Sequence, residues 1–233
     1  MSAEDPRIDA LIDAILPHVA FDGWSPAAFK AAVAQVGLSE TEAMALCPRG
    51  AVSLAIAYHE RGDRQMVAAL AEADLSDMRF RDKVAHALWL RIQAIDDKEA
   101  VRRASAMFAL PHLAGDGTRL IWGTADAIWE ALGDPSEDIN WYTKRATLSG
   151  VWGSVVLYWL GDDSLDAQAT RAFIDRRIDN VMQIEKVKAQ VNDNALLRPL
   201  MRPLGALLSG VRAPRRGAEM DLPGEWNPPT PRH

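Results

Sequence analysis

Only one cysteine, Cys47, occurs in the 233 residues, which excludes an internal disulfide and fits a reducing compartment. No apolar run reaches the roughly 18 residues that a bilayer-crossing helix needs. Basic charge is short: 26 Lys and Arg stand against 32 Asp and Glu, a formal charge of −6. A globally acidic chain repels phosphate backbones, so nucleic acid is not its expected partner. Sustained β-branched alternation and Asn-Gly hairpins are absent, which argues against a sheet. Tyrosine is scarce, three residues against eight tryptophans, and large amphipathic rings favour thick cores, cavities and interfaces. The first residues, MSAEDPRIDALIDAI, are acidic and pass straight into an amphipathic pattern, unlike a signal or transit peptide. A cytoplasmic chain is expected.

Motifs of the common helical enzymes are missing too. A di-iron carboxylate centre needs Glu-x-x-His pairs on facing helices. The residues three before His18, His59, His86 and His112 are Ile15, Ile56, Lys83 and Ala109, none of them acidic. A zincin needs H-E-x-x-H, and His59-Glu60 is followed by Asp63 where the second histidine belongs. Gly115-x-Gly117 lacks the third glycine of a dinucleotide fingerprint, and no Walker lysine motif occurs. Cys47 reads as a small buried hydrophobe. The expectation is no catalytic residue, no metal and no cofactor.

What is present is helical spacing. Ile8, Leu11, Ile12, Ile15 and Leu16 share one face, with Asp9 and Asp13 opposite. Gly23 breaks that helix, Ser25-Pro26 starts the next, and Gly37 ends it. Ser39 with Glu42 forms a capping box for a third short helix. Residues 1–48 thus make a helix-turn-helix-like module. Residues 49–192 make a longer helical array, with one helix over Val52–Leu70 loosened near Gly62 and a strongly apolar one from Ile139 to Leu160. Residues 193–210 are expected to form an amphipathic helix, and the Pro-rich residues 211–233 a disordered tail. The fold class is all-α.

The module has an unusual third helix. Its run is Glu40-Thr41-Glu42-Ala43-Met44-Ala45-Leu46, where a DNA recognition helix would present Lys, Arg, Tyr or His. Residues 1–75 carry five bases against eleven acids. The order of module and larger helical domain, and the turn Gly37-Leu38-Ser39, resemble TetR regulators, so a TetR-like transcription regulator is the alternative reading. The acidic third helix instead suits a structural or protein-binding element.

The most specific stretch is Gly133-Asp134-Pro135-Ser136-Glu137-Asp138-Ile139-Asn140-Trp141-Tyr142-Thr143-Lys144-Arg145. Asp134, Glu137 and Asp138 sit where a helix dipole favours carboxylates, with Ser136 as the expected N-cap. Trp141 and Tyr142 point about 100° apart on a helix. One of them is therefore expected near the surface, as an interface anchor beside Lys144 and Arg145 or as a boundary core residue. Gly23-Trp24, Gly37-Leu38-Ser39, Leu110-Pro111-His112 and Ala127-Ile128-Trp129 fall around it in a recognisable order. Over roughly Ile8 to Leu208 the chain resembles the lipid-binding accessory family of ubiquinone biosynthesis, the ninth coenzyme Q biosynthesis protein. That family's run ends in Asn-Trp-Tyr-Thr and two basic residues; Ile139 and Lys144 stand where an aromatic and an arginine are expected.

The resemblance implies a TetR-like homodimer that binds an isoprenoid lipid or quinone intermediate and supports a di-iron hydroxylase without being a catalyst. It implies a place peripheral to the inner membrane. Asp138, Asn140, Trp141, Tyr142, Lys144 and Arg145 are the expected partner-binding residues. Wide apolar faces offer a lipid cavity or ordinary core at Leu88, Trp89, Ile92, Phe108, Leu110, Trp122, Ile128, Trp152, Val156 and Trp159. Gly150, Gly153 and Ser154 would leave space beside them. Near the end, Leu196, Leu197, Leu200, Met201, Leu204, Leu207 and Leu208 form an apolar stripe with Arg198 and Arg202 at its margin. That stripe suits an anionic membrane surface, or docking on the bundle or in a dimer seam. Pro199 and Pro203 count against a straight helix.

Overall fold

A computed structural model describes residues 5–193 and 212–213. Among the described residues there are nine α-helices, a short 3-10 turn at Leu165–Ala167 and no strand. The helices are α1 (Pro6–Asp22), α2 (Pro26–Val36), α3 (Glu40–Leu46), α4 (Ala51–Glu72), α5 (Phe80–Gln93), α6 (Lys98–Phe108), α7 (Ala114–Ala131), α8 (Ile139–Leu160) and α9 (Gln168–Asp193).

Local chemistry sets most of these boundaries. Ser25 Oγ accepts from the Ala28 N–H with Pro26 in the first turn, and Gly37, at φ 78°, closes α2 in the left-handed region. Ser39 and Glu42 form the reciprocal capping box of α3. The acid at the head of that helix is thus spent on its own N-terminus. The expected cap of α8 is corrected: Asp138, not Ser136, accepts from the Asn140 N–H. Ser136 instead bonds Asp134 and Lys144.

Two apolar clusters are strung along α4. The first gathers Leu11, Ile15, Phe29, Val33 and Leu54 from α1, α2 and α4. It runs on into α6, where the Trp24 indole donates to the Ala100 carbonyl at 3.0 Å. The second gathers Met66, Leu88, Ile128, Trp152 and Ile174 from α4, α5, α7, α8 and α9. Gly62 does not loosen α4. The helix is continuous, and a Cβ there would lie 2.5 Å from an Arg91 guanidinium nitrogen. Gly62 is the notch that lets this arginine lie against the helix.

The expected apolar stripe, Leu196 to Leu208, lies outside the described residues, as does the chain after residue 213.

Candidate functional site

Between the two clusters, α4, α6, α7 and α8 leave a cavity of about 400 Å³. Its wall is mostly small or apolar: Ala55, Val101, Ala104, Phe108, Gly117, Ile121, Trp152, Gly153 and Val156 all contribute. Small residues make the space. A Cβ on Gly117 would come 2.9 Å from Phe108, while one on Gly153 would meet only Ile121 Cδ1, at 3.8 Å. Leu157, 70% exposed, stands at the edge of the same space.

Of the ten residues expected to line a cavity, Phe108, Trp152 and Val156 do so. Leu88, Ile92, Ile128 and Trp159 are buried in the second apolar cluster, where another helix, not space, lies opposite. Trp89 is half-buried with the Arg171 guanidinium 5.4 Å away, and Trp122 packs 6.0 Å from Trp141. Leu110 is 47% exposed beyond the end of α6. Gly150 is exposed and takes no part in the wall, whereas Gly153 does.

One side of the cavity is polar. Arg91 is buried and donates through Nε to Asp63 Oδ1 at 2.6 Å and through Nη2 to the His59 carbonyl at 2.9 Å. Its guanidinium carbon lies 5.3 Å from the Trp152 ring centre. His59 Nε2 is 2.9 Å from Thr124 Oγ1, and Thr124 Oγ1 is 2.9 Å from the same Asp63 oxygen. The chain of contacts fits a neutral histidine with its proton on Nε2, donating to Thr124, which donates to Asp63. An apolar cavity with His59 and Arg91 at one side suits a ligand with one polar end. The i, i+4 spacing of His59 and Asp63 was visible in the sequence; their meeting with Arg91 depends on how α4 and α5 pack.

Burial pushes the His59 pKa down to about 4, and Arg91 adds to the effect against the opposing pull of Asp63. The unfolded chain binds a proton near pH 6.5 while the folded one stays neutral, so acidification between about pH 6.5 and 4 favours unfolding. The expected loss across that window is on the order of 1–3 kcal/mol. Urea denaturation of the wild type and of His59→Gln at pH 7 and pH 4.5 checks this. The variant should lose less stability on acidification; equal losses would remove His59 as the cause.

A second polar centre lies at the start of α8. Asp134, 1% exposed at its side chain, takes Lys144 Nζ at 2.7 Å and Arg145 at 3.2 Å. Burial raises the Asp134 pKa, but hydrogen bonds from Lys144 and Ser136 outweigh it and hold the carboxyl below its ordinary value. Arg145 also pairs with Asp126 and lies 4.0 Å from the Trp141 ring centre. It is completely buried, so its expected place at a partner-binding surface is corrected: it ties α7 to α8 from within. Asn140 and Asp138 are exposed. Trp141 and Tyr142 are both half-buried and meet edge to face, 4.7 Å apart. Neither is fully buried, and each ring covers part of the other at the boundary of the core.

The COQ9 family model matches residues 114–185. These residues form a COQ9 domain. It takes in α7, α8 and most of α9, and so one wall of the cavity, the buried Arg145 network and the Trp141-Tyr142 pair. Outside the COQ9 domain, similarity continues over most of the chain. The mitochondrial ubiquinone biosynthesis protein COQ9 of Bos taurus is 29% identical over 211 residues, covering 85% of this chain and 65% of the relative. The Homo sapiens protein of the same name is 28% identical over 212 residues, with 85% and 65% covered. That of Xenopus tropicalis is 33% identical over 124 residues, 52% of this chain and 38% of the relative. The chain thus spans just under two thirds of the length of the mammalian relatives. Among solved structures, a TetR transcriptional regulator from Nitrosomonas europaea superposes with a TM-score of 0.62 at 20% identity, over 75% of this chain and 97% of the other. The architecture around the COQ9 domain is therefore TetR-like and all-α.

Proposed function

We propose that this chain is a non-enzymatic lipid-binding accessory protein of ubiquinone biosynthesis, which holds an isoprenoid quinone intermediate and presents it to a di-iron hydroxylase. The cavity carries this reading. A space of about 400 Å³ is in the range that buries a drug-sized ligand. It suits a ring and the first part of a prenyl tail, with the remainder leaving past exposed Leu157. His59 and Arg91 offer hydrogen bonds to ring oxygens. Because Arg91 is paired with Asp63 and His59 is neutral, the polar side adds little net charge and favours an uncharged head. The names of the COQ9 relatives supply the pathway. Glu40 and Glu42 on α3 oppose the alternative of a DNA-binding regulator.

No described helix is long and apolar enough to cross a membrane. A homodimer working at the surface of the inner membrane, where a prenyl tail partitions, fits the lipid role. Native mass spectrometry with lipid extraction tests the whole reading. Protein purified without detergent should release a prenylated phenol or quinone; protein that is folded, ligand-free and unable to take one up would contradict it.

The hydroxylase would dock on the exposed start of α8. Tyr142 is its anchor, because Trp141 is committed to Arg145 and Trp122. Tyr142→Ala should weaken capture of the hydroxylase by about tenfold or more, the worth of an aromatic anchor of roughly 2 kcal/mol. Thermal denaturation should move little. Undiminished capture by the folded variant would remove this surface from the partner interface.

A further inference from the structure

Gly62 stands in the middle of α4, where the backbone does not require a glycine: the helix is continuous, and its φ is not among the positive ones. A glycine inside a helix costs stability relative to alanine, so its use here lies in the missing side chain. A Cβ at this position would lie 2.5 Å from Arg91 Nη1, 2.6 Å from Cζ and 2.9 Å from Nη2. All three distances are far inside ordinary contact, about 3.5–4 Å. The guanidinium therefore occupies the place that a side chain would take.

The same guanidinium is tied to α4 by two hydrogen bonds. Nε donates to Asp63 Oδ1 at 2.6 Å and Nη2 to the His59 carbonyl at 2.9 Å. A shift away from α4 would stretch both at once. Nη1, the nitrogen nearest Gly62, makes no hydrogen bond to a described residue. Arg91 is buried, and a buried donor calls for an acceptor. Gly62 and Arg91 both line the lipid cavity, where a ligand can supply that acceptor. A neutral ring oxygen suits it, because Asp63 already balances the charge of Arg91.

We infer that Gly62 is a positioning residue for the ligand's head: it lets Arg91 lie against α4 with Nη1 presented to one acceptor oxygen of the bound ring. The inference rests on the lipid-carrying reading and makes the oxygens of the ring, not the tail alone, what the cavity selects. Gly62 acts only through Arg91, having no donor or acceptor side chain of its own.

Two ligands with the same short prenyl tail test it on the full chain: a prenyl quinone, and a prenyl benzene that lacks the ring oxygens. The wild type should bind the quinone about tenfold or more tighter. Gly62→Ala should bring the ratio close to one, chiefly by weakening the quinone. Arg91→Lys keeps a cation beside Asp63 but has no second arm to place over Gly62, and should lose the preference as well. A second readout needs no ligand. Proton NMR follows the His59 ring, its signal assigned through His59→Gln. At about pH 5 burial, with help from Arg91, keeps His59 mostly neutral in the wild type. A displaced Arg91 should leave it more protonated in Gly62→Ala. A ratio that Gly62→Ala leaves unchanged, or equal weakening of both ligands, would overturn the positioning role while the lipid reading stands. An unchanged His59 titration would overturn it too. Uptake of neither ligand by the folded wild type would bring down the lipid reading and the head contact with it.

Discussion

Arg145→Met should unfold the protein or bring it close to unfolding. Arg145 is completely buried, and methionine of similar length would fill much of the space while removing the charge. Asp134, also buried, and Asp126 would then lose the guanidinium that pairs them. Breaking a buried ion pair on one side costs about 3–5 kcal/mol. That is comparable to the whole stability of many domains, roughly 5–15 kcal/mol. Lys144→Met is the control. Its side chain is 37% exposed, so the same Asp134 loses a partner that water partly replaces. The loss should be about 1 kcal/mol or less. Urea denaturation followed by circular dichroism separates the two; an Arg145→Met protein as stable as wild type would remove the network from the fold's main supports.

Gly153→Leu should empty the cavity of ligand without weakening the fold. A Cβ at position 153 meets only Ile121 Cδ1, at 3.8 Å, and both residues line the cavity. A leucine there has room for its first carbon, and its branched end takes space that a ligand would use. Replacing a glycine inside α8 also removes backbone freedom from the unfolded chain, worth about 0.5–1 kcal/mol in favour of the fold. Ligand occupancy should fall by about tenfold or more, while the thermal midpoint holds or rises. Two measured quantities moving in opposite directions distinguish a filled cavity from a damaged core. A drop in both would place Gly153 in ordinary packing.

The helices were legible in the sequence because their signals are local. The capping box of Ser39 and Glu42, the left-handed Gly37 and the apolar run from Ile139 to Leu160 each depend on residues within one or two turns. The acid at the start of α8 was visible as well, but Ser136 and Asp138 are both competent caps, and only the backbone path selects Asp138. The cavity was far less legible. Helical spacing tells which side chains point inward, not whether a neighbour or a void lies across from them. Leu88 and Ile128 point inward and meet other helices, while Trp152 and Val156 point inward and meet space. Glycine was the better guide: Gly153 marks the wall. Gly62 carried the same kind of signal and was read as a weak point in α4, when it is the site of close approach by Arg91. Arg145 misled for a related reason. A basic residue beside two aromatics suggests a surface, and its burial follows from Asp126 and Asp134, one on α7 and one in the loop after it.

Titration of the delipidated full chain and of Gly153→Leu with a short-tailed prenyl quinone, followed by native mass spectrometry, tests the lipid-carrying role most directly. The wild type should take up one molecule per chain, and the variant, equally folded, should take up little at the same concentration. Equal uptake by both, or none by either while both remain folded, would contradict a role for the cavity in holding a quinone intermediate.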